Sequence, residues 1–327
     1  MILVTGGAGY IGSHFLKTYL EINREQQVLV VDNLSLGHKE ALKFSHNIIL
    51  EEEDIGNTAA MRKLMLKYPI EAVVHFAGSC YVAESQQNPV KYLQNNLRNS
   101  LNLFEVMESC GVRKIIFSSS CAVYGPPKYV PLDEDHPQQP ASVYGLTKHM
   151  IEQALNVYSK QMGWHYLALR YANVAGADES STIGESHYPE PHLIPLVLQV
   201  ANGKGNILDI NGDDWDTPDG TCIRDYLHVS DLAQAHIVAL EKLRTGSIFG
   251  AINIGTGKGY SIKEIIDVCR RITGREIATR ILPRREGDPS IYVAGGDLAA
   301  KALKWKPHYG LEDIITSAWK WEQSRRY

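Results

Sequence analysis

A chain of 327 residues is long enough to bury a substantial core, as one large α/β unit or as two closely joined lobes. Its 33 basic and 37 acidic side chains leave a formal net charge of −4 with no Lys/Arg-rich run, which argues against a general nucleic-acid binder. The five cysteines are scattered, odd in number and without CxxC or Cys/His zinc spacing, so reduced thiols in a cytoplasmic protein without a metal are expected; no signal peptide or membrane-spanning segment is visible.

The first half alternates short β-branched runs with amphipathic stretches. "ILVTG" (2–6), "VLVVD" (28–32), "IILEEED" (48–54), "AVVHFA" (72–77), "KIIFSSS" (114–120) and "YLALRY" (166–171) predict strands. Their nearly continuous apolar character suits strands covered on both faces of a parallel sheet. "SHFLKTYLEI" and "NLRNSLNLFEVMESCG" predict helices between them, the second ending at Gly111 as a C-cap. Repeated β-α-β of this kind predicts an α/β fold, a Rossmann-like doubly wound parallel sheet over residues 1–172. After about residue 172 the chain becomes irregular and rich in Gly, Asp and Pro, interrupted by the helical patterns "SDLAQAHIVALEKL" and "SIKEIIDVCRRITG". Residues 173–327 are expected to form a smaller C-terminal substrate-binding domain at the sheet's carboxyl edge, with parts of 225–256 completing the first domain.

"VTGGAGYIGSH" follows the first strand and opens a helix, spacing Gly6, Gly9 and Gly12 as GxxGxxG. Glycines there allow a tight turn, close backbone approach to a pyrophosphate and close helix–strand packing, and the helix N-terminus offers N–H groups to an anion. Asp32 closes the second strand twenty residues after Gly12, where a carboxylate binds adenine-ribose hydroxyls and repels a ribose phosphate. The pattern predicts NAD rather than NADP, with Asp54 and Ile55 flanking the adenine. Further on, "ASVYGLTKHM" sets Tyr144 and Lys148 one helical turn apart. Such a pair is either ordinary packing or a proton-transfer device, since a nearby cation lowers a phenol's pKa.

These landmarks, with "HFAG" (75–78), "SSS" (118–120) and Tyr144-x-x-x-Lys148 in order, resemble the extended branch of the short-chain dehydrogenase/reductase superfamily. The resemblance implies a catalytic set of Ser120, Tyr144 and Lys148. It places Tyr10, Ile11, Asn33, Phe76, Ala77, Gly78, Asn96, Ser118 and Tyr171 beside the cofactor as well. Tyr144 would move the proton of a secondary alcohol while hydride leaves the same carbon, Lys148 would tune it and hold the nicotinamide ribose, and Ser120 would orient the substrate oxygen.

In the second half, "RYANVAGAD" (170–178), "PHLIPLVLQVANGK" (191–204), "DDWDTPDGTCIRDYLHVSDLAQAH" (213–236), "NIGTG" (253–257) and "PRREGDPSIYVA" (283–294) resemble the UDP-glucose 4-epimerase family, and the likeness runs from Met1 to about Trp321. The 4,6-dehydratases carry an Asp-Glu pair after the fifth strand, where this chain has Ser120-Cys121-Ala122. The resemblance implies reversible C4 epimerisation of UDP-galactose and UDP-glucose through a transient 4-keto intermediate, using tightly bound NAD. Asn173 would hydrogen-bond the diphosphate or sugar, Arg224 and Arg285 would clamp the diphosphate, and His192 and Leu193 would lie beside diphosphate and uracil. Asp288 would contact the uridine ribose and Tyr292 would wall the sugar pocket. A homodimer, with no nucleic-acid or membrane partner, is implied too.

The chain departs from the family pattern at several positions. Cys80 stands where a lysine is usual, Ala172 where a phenylalanine is usual, and Asn211 where an aromatic often stacks on uracil. A 4-epimerase of UDP-N-acetylhexosamine, UDP-pentose or UDP-uronate therefore remains an alternative, as does an NAD(P)H reductase with a dissociable cofactor.

Overall fold

The computed structural model describes residues 1–246, 250–285 and 287–327. Thirteen strands are described, in chain order β1 (Ile2–Thr5), β2 (Val28–Asp32), β3 (Ile48–Glu52), β4 (Ala72–His75), β5 (Lys114–Ser118), β6 (His165–Arg170), β7 (Asn173–Ala175), β8 (Leu208–Asn211), β9 (Ile223–His228), β10 (Gly250–Asn253), β11 (Gly259–Ser261), β12 (Thr279–Leu282) and β13 (Ile291–Tyr292).

Seven of them form a parallel sheet in the order β10-β6-β5-β4-β1-β2-β3. All six sequence-predicted strands are in it, and the seventh, β10, pairs with β6. Alternate residues of each strand enter opposite cores. Ile2, Val4, Val28, Val30 and Leu167 face one side, packed with Phe15 and Leu16 of the helix Tyr10–Ile22 and Leu232 and Leu240 of the helix Val229–Arg244. Leu3, Leu29, Val31, Val73 and Ile115 face the other, against Met61 of Thr58–Lys67, Phe104 of Asn99–Ser109 and Leu155 of Val143–Met162. Burial on both faces explains why these strands read as unbroken apolar runs.

The strand order reverses between β1 and β4, so the loops that leave their carboxyl ends diverge and open a crevice. β7, β9, β11 and β13 build a second, mixed sheet, and β8 pairs with β12. A third core, with Ile194, Val197, Ile210, Ile265 and Ile314, holds these to the helices Leu193–Ala201, Ile262–Thr273 and Leu311–Ser324. This smaller lobe faces the crevice. Among the described residues no helix is long and apolar enough to cross a membrane.

Candidate active site

One cleft of about 960 Å³ runs from the β1 and β4 loops to the smaller lobe. At its floor the chain turns sharply at Gly6, whose φ is +70°. A Cβ at Gly6 would meet Ala77 N at 2.5 Å, and one at Gly12 would strike the Gly6 carbonyl, so only glycine lets the two loops and the helix close together. Gly9 is the N-cap of the helix Tyr10–Ile22, which has neither a capping side chain nor an acidic residue in its first turn. Its N-terminal N–H groups and positive dipole end therefore stay available to an anion.

The Asp32 carboxylate is fixed at the far side of this cradle by the N–H groups of Ala8 (2.9 Å) and Leu34 (2.8 Å). Burial raises its pKa while those two N–H groups oppose the rise. Asn33 donates to Asp54 at 2.8 Å, and Asp54 in turn accepts from Gly56 N and Asn99. Ile55 completes that rim. Glycine cradle, free helix terminus and fixed carboxylate together fit a dinucleotide.

Ser120, Tyr144 and Lys148 stand on the cleft wall where Phe76, Ala77, Gly78, Ser118 and Tyr171 converge. Tyr144 lies in the first turn of Val143–Met162, and three side chains fix that turn. Ser142 accepts from Gly145 N, Ser85 from Tyr144 N and Gln86 from Val143 N. Lys148 is buried, donates to the Ser118 carbonyl at 2.8 Å and holds Nζ 5.8 Å from the Tyr144 ring centre. Burial draws the lysine down to about 8, with Cys80 and Glu152 opposing. Burial also pushes the Tyr144 phenol well above its ordinary value, Tyr171 and Cys80 add to the rise, and the Ser120 hydrogen bond works against it. Among the protein's own groups burial thus dominates the phenol, ahead of a cation held 5.8 Å from the ring, and the expected lowering calls on the positive nicotinamide ring as well as Lys148.

Beneath Ser120, Glu152 and Arg170 form a fully buried pair, with Arg170 Nε and Nη2 donating at 3.0 and 2.5 Å. Ser119 donates to Glu152, and Arg170 to the Tyr124 hydroxyl. Asn96 was expected at the cofactor but does not line the cleft. Its amide accepts from Ser79 N (2.8 Å) and donates to Ser79 O (2.9 Å), so it acts through the backbone after β4. It sits in a π-helical turn, Leu93–Arg98, which carries Asn95 rather than Asn96 to the wall. Periodicity alone gave no sign of that turn.

The remaining positions named from sequence all line the smaller-lobe half of the cleft. Asn173 donates to the Asp225 carbonyl at 3.0 Å. Arg224 uses Nη1 on the Ile223 carbonyl. Arg285 forks onto Asp288, with Nε–Oδ2 at 3.0 Å and Nη2–Oδ2 at 2.9 Å, so the two charges expected on separate parts of a ligand are paired with each other. The Tyr292 hydroxyl donates to the Cys121 carbonyl at 2.5 Å, and Ala172 packs on the same small apolar cluster. Cys80 lines the cleft as a neutral thiol, pushed up by burial to about 12. Near Asn211, Trp215 is covered by the Arg284 guanidinium at 4.4 Å. His192 and Leu193 begin the helix Leu193–Ala201, and His192 contacts Glu185 and Glu190. Burial lowers His192, but those carboxylates outweigh it and raise it to about 10. Glu185, His187 and Glu190 were not singled out from sequence, although two Glu-x-His pairs, 185–187 and 190–192, mark them.

Comparison with known proteins gives the family. Residues 2–255 match the model of the NAD dependent epimerase/dehydratase family. UDP-glucose 4-epimerase of Halalkalibacterium halodurans is 45% identical, over 98% of this chain and 95% of that relative. The crystal structure of UDP-glucose 4-epimerase from Brucella ovis in complex with NAD superposes with a TM-score of 0.93 at 43% identity, covering 98% of this chain and 97% of that one. The UDP-Glc/GlcNAc 4-epimerase of Campylobacter jejuni superposes with a TM-score of 0.86 at 39% identity, covering 99% of both chains. The chain belongs to the NAD dependent epimerase/dehydratase family, on its UDP-glucose 4-epimerase branch.

Proposed function

We propose that this protein interconverts UDP-galactose and UDP-glucose by inverting C4 of the hexose through a transient 4-keto sugar. The observation that carries the reading is the single cleft that joins the glycine cradle and Asp32 to Ser120, Tyr144 and Lys148 and then to Arg224 and Arg285. The N–H groups at Gly9–Gly12 would hold the pyrophosphate of NAD, Asp32 its adenine ribose and Lys148 its nicotinamide ribose. Bound NAD supplies a reversible hydride acceptor for C4 and a positive ring charge beside Tyr144.

Tyr144 takes the proton of the 4-hydroxyl and later gives it back. Its raised pKa keeps it a phenol until a further positive charge is near, which ties proton removal to the oxidised cofactor. Ser120 orients the reacting oxygen. Arg224, with no carboxylate partner among the described residues, is placed to hold the diphosphate. Arg285 is exposed, and leaving Asp288 for a diphosphate forfeits only about 0–1 kcal/mol, the usual worth of a surface pair. Gripping the diphosphate while leaving the sugar few anchors lets the keto sugar present its other face.

Two cores cover the faces of the sheet and a third serves the smaller lobe, which supports division into a cofactor domain of 1–172 with β10 and its preceding helix, and a nucleotide-sugar region over the rest. Exposed Leu146, Met150 and Val157 share one face of Val143–Met162, beside exposed Val90 and Leu93, which supports a homodimer through these helices. Five free cysteines suit a cytoplasmic setting. The test is a panel of UDP-sugars. Preferential turnover of the UDP-galactose/UDP-glucose pair is expected, and equal or better turnover of the N-acetylated pair would move the assignment to the broader epimerases.

A further inference from the structure

Four side chains outside the proton-transfer set converge beside the cleft, where the loop 185–192 meets Tyr10 and Tyr81. One loop supplies two Glu-x-His pairs, Glu185 with His187 and Glu190 with His192, the last at the start of the helix Leu193–Ala201. One ligating atom from each lies within 4.8 Å of all the others. His192 Nδ1 is 2.8 Å from a Glu185 oxygen and 2.7 Å from a Glu190 oxygen, and His187 Nδ1 is 3.2 and 3.7 Å from oxygens of the same two residues. A tetrahedral zinc ion with bonds of about 2.0–2.1 Å to nitrogen and oxygen sets its ligand atoms about 3.3 Å apart, in the middle of that range.

Hydrogen bonding accounts for only part of the arrangement, the His192 backbone N–H and Nδ1 both meeting Glu190 Oε1, at 3.0 and 2.7 Å. His192 Nδ1 carries at most one hydrogen, yet it faces two carboxylates at hydrogen-bond distance. His187 Nδ1 is buried and makes no hydrogen bond of acceptable geometry, although it is aimed at both carboxylates. The Glu185 and Glu190 side chains are each only 6% exposed, and no Lys or Arg among the described residues forms an ion pair with either. Among the described residues the partners of these two buried carboxylates are the imidazoles alone, and each Nδ1 offers one hydrogen at most. One divalent ion balances both charges and uses all four atoms.

The loop is held independently of any ion. Trp321 Nε1 donates to the Glu185 carbonyl at 2.7 Å, Arg325 donates to Ser186 Oγ, and Tyr10 and Tyr81 pack edge-on to the His187 ring. Two imidazoles with two carboxylates favour zinc over magnesium or calcium, which prefer all-oxygen shells. We propose that Glu185, His187, Glu190 and His192 form a zinc site that fixes this loop to the helix Leu193–Ala201 beside Tyr10 and Tyr81. The site does not depend on which sugar is turned over.

The test measures metal in the purified protein and then, after chelation, titrates Zn²⁺ against a chromophoric competitor and records the visible spectrum of the Co²⁺ form. About one zinc per chain is expected, with tetrahedral Co²⁺ bands and a thermal midpoint that falls on chelation and recovers with Zn²⁺. His187→Ala and the near-isosteric Glu190→Gln should each weaken Zn²⁺ binding at least 100-fold, more than the roughly 10–100-fold typical of losing an outer-shell partner. Zinc binding no tighter in the wild type than in these variants would overturn the site. So would a cobalt–thiolate band, which would place the metal on the free cysteines.

Discussion

Tyr144 is a phenol that its own surroundings make less acidic. Burial raises it, Lys148 stands 5.8 Å from its ring, and Ser120 alone pulls the other way. Replacing Tyr144 by Phe removes the proposed proton carrier without touching the glycine cradle, so epimerisation should fall about 100- to 10,000-fold while bound nicotinamide is retained. Turnover together with cofactor content after purification checks this. Undiminished turnover would take Tyr144 out of the chemistry. Tyr292, the proposed wall of the sugar pocket, is held by its hydroxyl on the Cys121 carbonyl beside Ala172. Tyr292→Cys removes ring bulk and that tie, and the ratio of kcat/KM for the N-acetylated pair to that for the UDP-glucose pair should rise about tenfold, the scale of a small pocket change.

Elements carry these residues into register, and the most exacting support is the pair between the helix Val143–Met162 and β6. Glu152 and Arg170 are each 4% exposed and tied to Ser119 and Tyr124. Glu152→Ala leaves Arg170 buried and unpaired, so unfolding free energy should fall by about 3–5 kcal/mol, read as a lower denaturant midpoint at unchanged slope. A loss near zero would show that water or a neighbour compensates the guanidinium. Legibility followed burial at this scale as well. β1–β6 could be read because each carries an apolar run that the sheet covers, whereas most of β7–β13 are short pieces among Gly, Asp and Pro whose pairing is set by distant partners. The glycine cradle and Tyr144/Lys148 were legible because spacing within one turn carries their chemistry. Asn95, the Arg285–Asp288 pairing and the gathering of Glu185 with His187 depended on a π-helical turn and loop paths that no short pattern encodes.

Among the described residues of the whole molecule, burial holds four histidines as neutral rings. Burial lowers His14, His228 and His236 to about 4 and His75 to about 3. His75 is enclosed between Thr5 and Ser100, at 2.7 and 2.9 Å. The unfolded chain protonates each ring near pH 6.5, so between about 6.5 and 4 it binds protons that the folded protein refuses. Stability should therefore fall on acidification through that window, by up to about 1.4 kcal/mol per pH unit for each ring. Denaturant titrations at stepped pH check the slope, and a flat profile would contradict neutral burial. In the proposed reaction one chain holds its own redox partner and returns both hydride and proton to the same carbon. The direct measurement is incubation of the protein as purified with UDP-galactose and no added nicotinamide. UDP-glucose should accumulate to an equilibrium mixture over many turnovers, with no net change in reduced-nicotinamide absorbance. Product formed only on adding NAD(P)H, with stoichiometric loss of that absorbance, would contradict it.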